Sequence, residues 1–172
     1  MFKAPPRTIM EVWEGLPEGT LCQIINNQLA LSPAPTSAHQ HTAKAIFRAL
    51  DRFVEKHQLG EVFFAPVDVQ FDEENIYQPD VLLIASDRLD IIGNRIYGAP
   101  DLIVEVFSKG SERLNKVEKK AVYERFGVQE YWIVDPATKE TTGYKLKEGT
   151  FELIPAATGI MESFLLQTTI PF

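Results

Sequence analysis

The segment Asp101-Leu102-Ile103-Val104-Glu105-Val106-Phe107 sets a carboxylate among residues that avoid water. Its apolar density predicts a largely buried strand. Side chains alternate along a strand, so Asp101, Ile103 and Glu105 share one face. An ionised carboxylate in a core is costly unless a cation, a hydrogen-bond network or a solvent cleft receives it. A cation is the simplest answer. Asp80 has a similar setting, following Pro79 and leading directly into Val81-Leu82-Leu83-Ile84. Two acidic groups at neighbouring strand positions suit Mg²⁺, which takes one or two carboxylates and leaves its other positions to water and substrate phosphate. The plainer alternative is that Glu105 pairs with an Arg or Lys and Asp80 caps a strand.

The residues after this strand bear on that choice. Asn115, Lys119 and Tyr123 fall at i, i+4 and i+8, on one face of a helix. Leu114, Val117, Ala121 and Val122 are the residues expected to pack. A helix entered directly from the strand can lay the polar row back over the strand's end, bringing Lys119 near the carboxylates. A lysine there can orient or deprotonate a metal-bound water and neutralise charge in a transition state. The common alternative is a solvated surface lysine. Further upstream, Lys44, Arg48, Arg52 and Lys56 recur every fourth residue. On a helix such a row drifts by about 40° per step, giving a slanted basic stripe. This is a candidate phosphate track, or simply a solvated helix face. His39 and His41 sit at the entry to the same helix and read as polar helix-start residues, with His39 near the cleft.

These residues need a scaffold. Apolar runs at 21–25 and 29–31 flank Asn26-Asn27, and Asn tolerates positive φ, which predicts a hairpin. Residues 32–37 break the chain and supply N-cap candidates. Ala43, Ile46, Phe47, Leu50, Phe53 and Val54 then mark one buried face of a helix over 37–56, with Gly60 as its expected end. Strands are predicted at 62–64, 67–71 and 81–84, with a turn at 72–75 between the second and third. Residues 87–100 read as a loop or short irregular helix. The strand at 101–107 leads, through a cap at 108–111, into a helix ending near Phe126, where Gly127 is a natural stop. A strand at 130–134 and a β meander complete the chain. The order predicts an α/β or α+β layer fold, a mixed sheet flanked by helices.

At 172 residues, with 45% apolar and 24% charged residues, the chain has the composition of one globular domain. We expect a single domain over 1–172, with an N-terminal extension at 1–20, a core at about 20–136 and C-terminal strands at 137–172. One cysteine, Cys22, excludes an intrachain disulfide and a Cys-rich zinc site. The absence of a signal-like or membrane-spanning apolar run makes a cytoplasmic protein, without a membrane partner, the expectation. A net charge of −7 argues against a general nucleic-acid coat protein. It leaves a nuclease open, because metal-holding carboxylates enter that sum.

Several blocks in order resemble the Uma2 family, formerly a domain of unknown function, within the PD-(D/E)XK restriction-endonuclease-like superfamily. They are Gln78-Pro79-Asp80-Val81, the 101–108 strand, Glu118-Lys119 with Tyr123, and Gly127-Val128-Gln129-Glu130-Tyr131-Trp132-Ile133-Val134-Asp135-Pro136. Leu31-Ser32-Pro33-Ala34-Pro35 with His39-Gln40, and Ala65-Pro66-Val67-Asp68-Val69, resemble its N-terminal half. The resemblance implies Asp80 and Glu105 as metal ligands. Two residues after Glu105 stands Phe107 rather than the usual lysine. Lys119 on the next helix takes that role, with Lys120 as its neighbour and a further nucleic-acid contact. Gln23 stands where the family often has an acid in the first hairpin, and Asn115 where an Asp is frequent. Both remove negative charge beside the metal and are expected to line the cleft with Tyr123. The implied protein is a Mg²⁺- or Mn²⁺-dependent endonuclease acting on DNA as a homodimer, without an organic cofactor. The alternative is a catalytically weakened relative that binds or assembles, using Tyr131, Trp132 and the C-terminal strands as an interface. A weaker third reading is hydrolysis of RNA or a small phosphodiester.

Overall fold

The computed structural model describes residues 7–17, 19–107 and 113–172 of the chain. A short helix, α1 (Ile9–Glu14), precedes the hairpin β1 (Cys22–Ile25) and β2 (Gln28–Leu31). Asn26 and Asn27 take φ of 48° and 58°, the paired positive values of a type I′ turn. Helix α2 (Ser37–His57) starts where the Thr36 hydroxyl accepts the His39 N–H. It stops at Gln58, which takes the left-handed conformation, two residues before the expected Gly60. Gly60 has a different duty. It opens β3 (Gly60–Phe64), where a Cβ would stand 1.9 Å from the Ile84 carbonyl oxygen.

The predicted strand at 67–71 shortens to β4 (Val69–Gln70), and the 72–75 turn leads from it into the short β5 (Ile76–Tyr77). After β6 (Val81–Ala85), a single 3₁₀ turn (Leu89–Ile91) and β7 (Ile96–Tyr97) occupy the stretch read as loop. Two-residue strands carry too little alternation to be recognised from pattern. Next come β8 (Leu102–Val106), α3 (Arg113–Phe126) and β9 (Glu130–Val134). The meander is β10 (Glu140–Lys147), β11 (Thr150–Thr158), β12 (Ile160–Ser163) and β13 (Thr168–Pro171). The cap expected at 108–111 lies outside the described residues.

Six strands form the main sheet in the order β11-β10-β9-β8-β6-β3. Strands β8 and β9 run parallel through the α3 crossover, and the other pairs are antiparallel. A second sheet, β2-β1-β5-β4-β7, and the β12-β13 hairpin complete the strands. Alternation along β8 sorts the core. Leu102, Val104 and Val106 pack with Ile46, Leu50 and Val54 of α2. Ile103 faces the other way, toward Val122 and Tyr123 of α3 and Phe71 and Tyr77 of the second sheet. The main sheet is thus covered by α2 on one face and by α3 with the smaller sheet on the other.

Tyr131 and Trp132 are fully buried, which removes them as an interface. Trp132 lies across Gly143 on the neighbouring strand, where a Cβ would come within 2.5 Å of the indole. Its Nε1–H donates to Glu130 at 2.6 Å. Glu130 is itself buried and accepts from the Ser163 hydroxyl at 3.1 Å and the Leu165 N–H at 2.8 Å, tying β9 to the C-terminal hairpin. Burial pushes its carboxyl above the ordinary range, against these donors. Glu130→Ala strands all three and is expected to cost about 3 kcal/mol. Urea unfolding checks this, and a loss below about 1 kcal/mol, the worth of a single ordinary hydrogen bond, would contradict it.

Candidate active site

The register of β6 against β8 decides the site. Val81 faces Val104 and Leu82 faces Ile103 across an antiparallel pair. One residue further, Asp80 stands opposite Glu105, and directly opposed antiparallel residues have Cα atoms about 5 Å apart. The Asp80 Oδ2 accepts the Val106 N–H at 2.7 Å, so β8 itself orients the aspartate. The first turn of α2 reaches the same carboxylate, with His39 Nε2 at 3.2 Å from Asp80 Oδ2. That hydrogen bond outweighs partial burial and raises the imidazole above its ordinary range.

Glu105 is 3% exposed. Its Oε1 accepts Lys119 Nζ at 2.8 Å and the Tyr123 hydroxyl at 2.7 Å. Lys119 is 4% exposed and lies beside the Tyr77 and Phe107 rings. Burial raises the Glu105 carboxyl above its ordinary range, the Lys119 charge opposes that shift, and the Asp80 charge adds to it. Burial likewise holds the Tyr123 hydroxyl far up, so it stays a donor.

The packing of α3 differs from expectation. Val117 is 65% exposed and Ala121 is also exposed, while Lys119, Val122 and Tyr123 face the sheet. The buried Glu105 explains this, because its charge is best met by turning Lys119 and Tyr123 inward. The plain pairing of Glu105 with a lysine and the clustering of Lys119 beside the carboxylates are one contact. Lys120 turns away, its Nζ 4.1 Å from the Tyr144 ring centre. Asn115 lies on α3, but its side chain is outside the described residues, as is that of Leu114.

Asp80, Glu105 and Lys119 line a cleft of ≈ 470 Å³ with Gln23, His39 and Gln40. The proline-rich turn Pro33-Ala34-Pro35 and Ala65-Pro66 also line it. Gln23 is pinned, its Nε2 donating to Ser32 Oγ at 2.8 Å and its Oε1 accepting the Gln78 N–H at 3.0 Å. The His39–Asp80 contact has no sequence signal, since the two residues lie on separate elements and only folding sets the distance. Lys44, Arg48, Arg52 and Lys56 are exposed on α2 and lie outside the cleft lining. Asp101 belongs elsewhere: it accepts the Ala85 N–H and pairs with Arg88 at 2.8 Å.

The donor set fits a divalent ion of the Mg²⁺ type. Asp80 Oδ1 and Glu105 Oε2 make no hydrogen bond among the described residues, and the buried Lys119 is bonded to Glu105. Among the described residues, no three His, Cys, Asp or Glu side chains converge as a metal site. A pair of carboxylates matches the one or two that Mg²⁺ commonly takes.

A carboxylate pair across adjacent strands, a lysine on the following helix and a mixed sheet between helices define a restriction-endonuclease-like α+β protein. The chain belongs to the Uma2 family, described as "Putative restriction endonuclease", whose model matches residues 10–169. Among solved structures it is similar to a putative nuclease belonging to DUF820 from Anabaena variabilis, with a TM-score of 0.71 and 19% identity over 86% of this chain and 84% of that one. Comparison with curated proteins gave no match. Among the described residues, no helix is long and apolar enough to cross a membrane.

Lys119→Met leaves Glu105 buried without its counter-charge. In EDTA at neutral pH this is expected to cost about 3 kcal/mol, at the low end for breaking a buried pair. The ionised form of Glu105 is the costly one. The loss should therefore shrink as pH falls through its raised folded pKa and the carboxyl takes up a proton. Urea unfolding of both proteins across this range checks it, and a loss independent of pH would contradict it.

Proposed function

We propose that the chain is a Mg²⁺- or Mn²⁺-dependent endonuclease that hydrolyses phosphodiester bonds in DNA. The observation that carries this is the meeting of Asp80, Glu105 and Lys119 at the floor of one cleft, from two strands and a helix distant in sequence. Asp80 Oδ1 and Glu105 Oε2 are the oxygens to hold the ion. When bound, it supplies Lewis-acid polarisation of the scissile phosphate and lowers the pKa of a coordinated water. Lys119 spends one of its three N–H donors on Glu105, leaving others for the attacking water or a phosphate oxygen. Tyr123 and His39 hold the two carboxylates in their rotamers. Gln23 already uses its amide oxygen on the Gln78 N–H, which favours one ion over two.

The basic stripe supports a nucleic-acid substrate. Gln40 lines the cleft, and Lys44, Arg48, Arg52 and Lys56 follow it at successive fourth positions. The row therefore begins at the cleft mouth and leads away along α2, as a phosphate track would. A homodimer, the commonest form of a soluble oligomer, belongs to this reading. The uncharged Gln23 favours the second reading, a relative that binds nucleic acid without cleaving it.

Purified protein incubated with plasmid and single-stranded circular DNA separates the two. Cleavage is expected with Mg²⁺ or Mn²⁺ and not with EDTA. Asp80→Ala, Glu105→Ala and Lys119→Ala should each slow it by about 10²-fold or more. Absence of cleavage by the intact protein, with no metal uptake by calorimetry, would favour the non-catalytic reading instead. Arg48→Ala combined with Arg52→Ala should weaken DNA binding and reduce the salt slope by about two. An unchanged slope would remove α2 from the substrate path.

A further inference from the structure

We infer that the strand entering this cleft is unpaired, and that Phe64 is the platform on which one of its bases stacks. The inference rests on the nuclease reading above and adds the class of substrate. Phe64 ends β3 and is 59% exposed, although it is one of the largest apolar side chains on the surface. It is not loose: its ring lies 4.7 Å from that of Phe47 on α2, tilted by 59°. Much of an aromatic side chain packed in place on Phe47 is thus left in water, and a stacked base would bury it.

Its position supports that reading. The next two residues, Ala65 and Pro66, line the cleft. Phe47, on which it packs, lies on α2 three residues after Lys44, and positions i and i+3 are neighbours on a helix surface. The exposed ring is thus joined to the cleft through Ala65 and Pro66 and stands near the first cation of the basic stripe. An aromatic face beside a row of cations is the arrangement by which proteins hold single strands, bases stacking while phosphates follow the charge. A peptide or lipid partner would explain the apolar ring but not the adjacent cations at the door of a carboxylate site.

The cleft argues against a duplex. Glu105 and Lys119 are nearly buried, 3% and 4% exposed, behind the wall of Pro33, Pro35 and Pro66. A volume of ≈ 470 Å³ is that of a site for a nucleotide-sized group. A phosphate on the outside of a double helix is held on a broad cylinder and cannot descend to this floor without local opening. Paired bases also have their faces covered by their neighbours, so Phe64 would gain nothing from them.

The test uses the full chain in EDTA with a 20-nucleotide strand carrying 2-aminopurine, alone and as a blunt duplex. The single strand is expected to bind at least about 10-fold tighter than the duplex, with quenching of 2-aminopurine. Phe64→Ala should weaken single-strand binding about 10-fold and abolish the quenching, while Phe64→Trp restores both. Leu153→Ala, an equally exposed apolar change on the opposite edge of the main sheet, should behave as the unaltered protein. With Mn²⁺, the single strand should be the form cleaved. Equal or tighter binding of the duplex, or a Phe64→Ala protein indistinguishable from the original, overturns the inference. Equal cleavage of both forms overturns it too while leaving the nuclease reading intact. Failure to bind or cleave either form removes both.

Discussion

The carboxylate of Glu105 is buried in the middle of the main sheet, and the structure around it is arranged to make that tolerable. Lys119 supplies charge, Tyr123 supplies a hydrogen bond, and both come from α3. This fixes how α3 lies on the sheet. It explains why the polar residues of the helix face inward while Val117 is left in water. An apolar residue at position 105 would remove the reason for that rotation. A helix that sacrifices an apolar contact to deliver a lysine to a buried acid is better explained by chemistry at the site than by stability alone, since a buried ion pair is rarely worth more than the apolar packing it displaces.

The second carboxylate is held by different means. Asp80 is placed by strand register and oriented by a backbone N–H of β8 and by His39 from the start of α2. The two acids thus approach each other from one sheet but are steadied from opposite layers, α2 and α3. Disturbance of either helix would be felt at the cleft through one carboxylate and not the other. The proline-rich turn after β2 closes the remaining side. With Pro33 and Pro35 it is a wall that costs little chain entropy to order, because proline backbone is already restricted.

Charge distribution completes the picture. The net charge of −7 is spread unevenly, with four exposed cations, Lys44, Arg48, Arg52 and Lys56, in a row along α2. Their row begins one turn beyond Gln40, which lines the cleft, so α2 carries both the basic row and two residues of the cleft lining, His39 and Gln40. The family is described as "Putative restriction endonuclease", and the proposed nuclease reading rests on the carboxylate pair, the cleft and the basic row taken together.

Much of this was legible in the amino-acid order. Long periodic segments such as α2, β8 and β9 declared themselves, because burial of one face imposes a period over many residues. A charged residue in such a segment, Glu105, was anomalous enough to point to a site. Strands β4, β5 and β7, two residues each, left no such trace and exist because neighbouring strands pair with them. For α3 the sequence placed Lys119 near the carboxylates but also expected Val117 and Ala121 to pack, and the acid on the adjoining strand decided between them. Sequence determined which side chains could do chemistry. Only the tertiary structure determined that Asp80 and Glu105 are cross-strand neighbours and that His39 reaches Asp80. Such distances depend on register and layer packing, which no local spacing encodes.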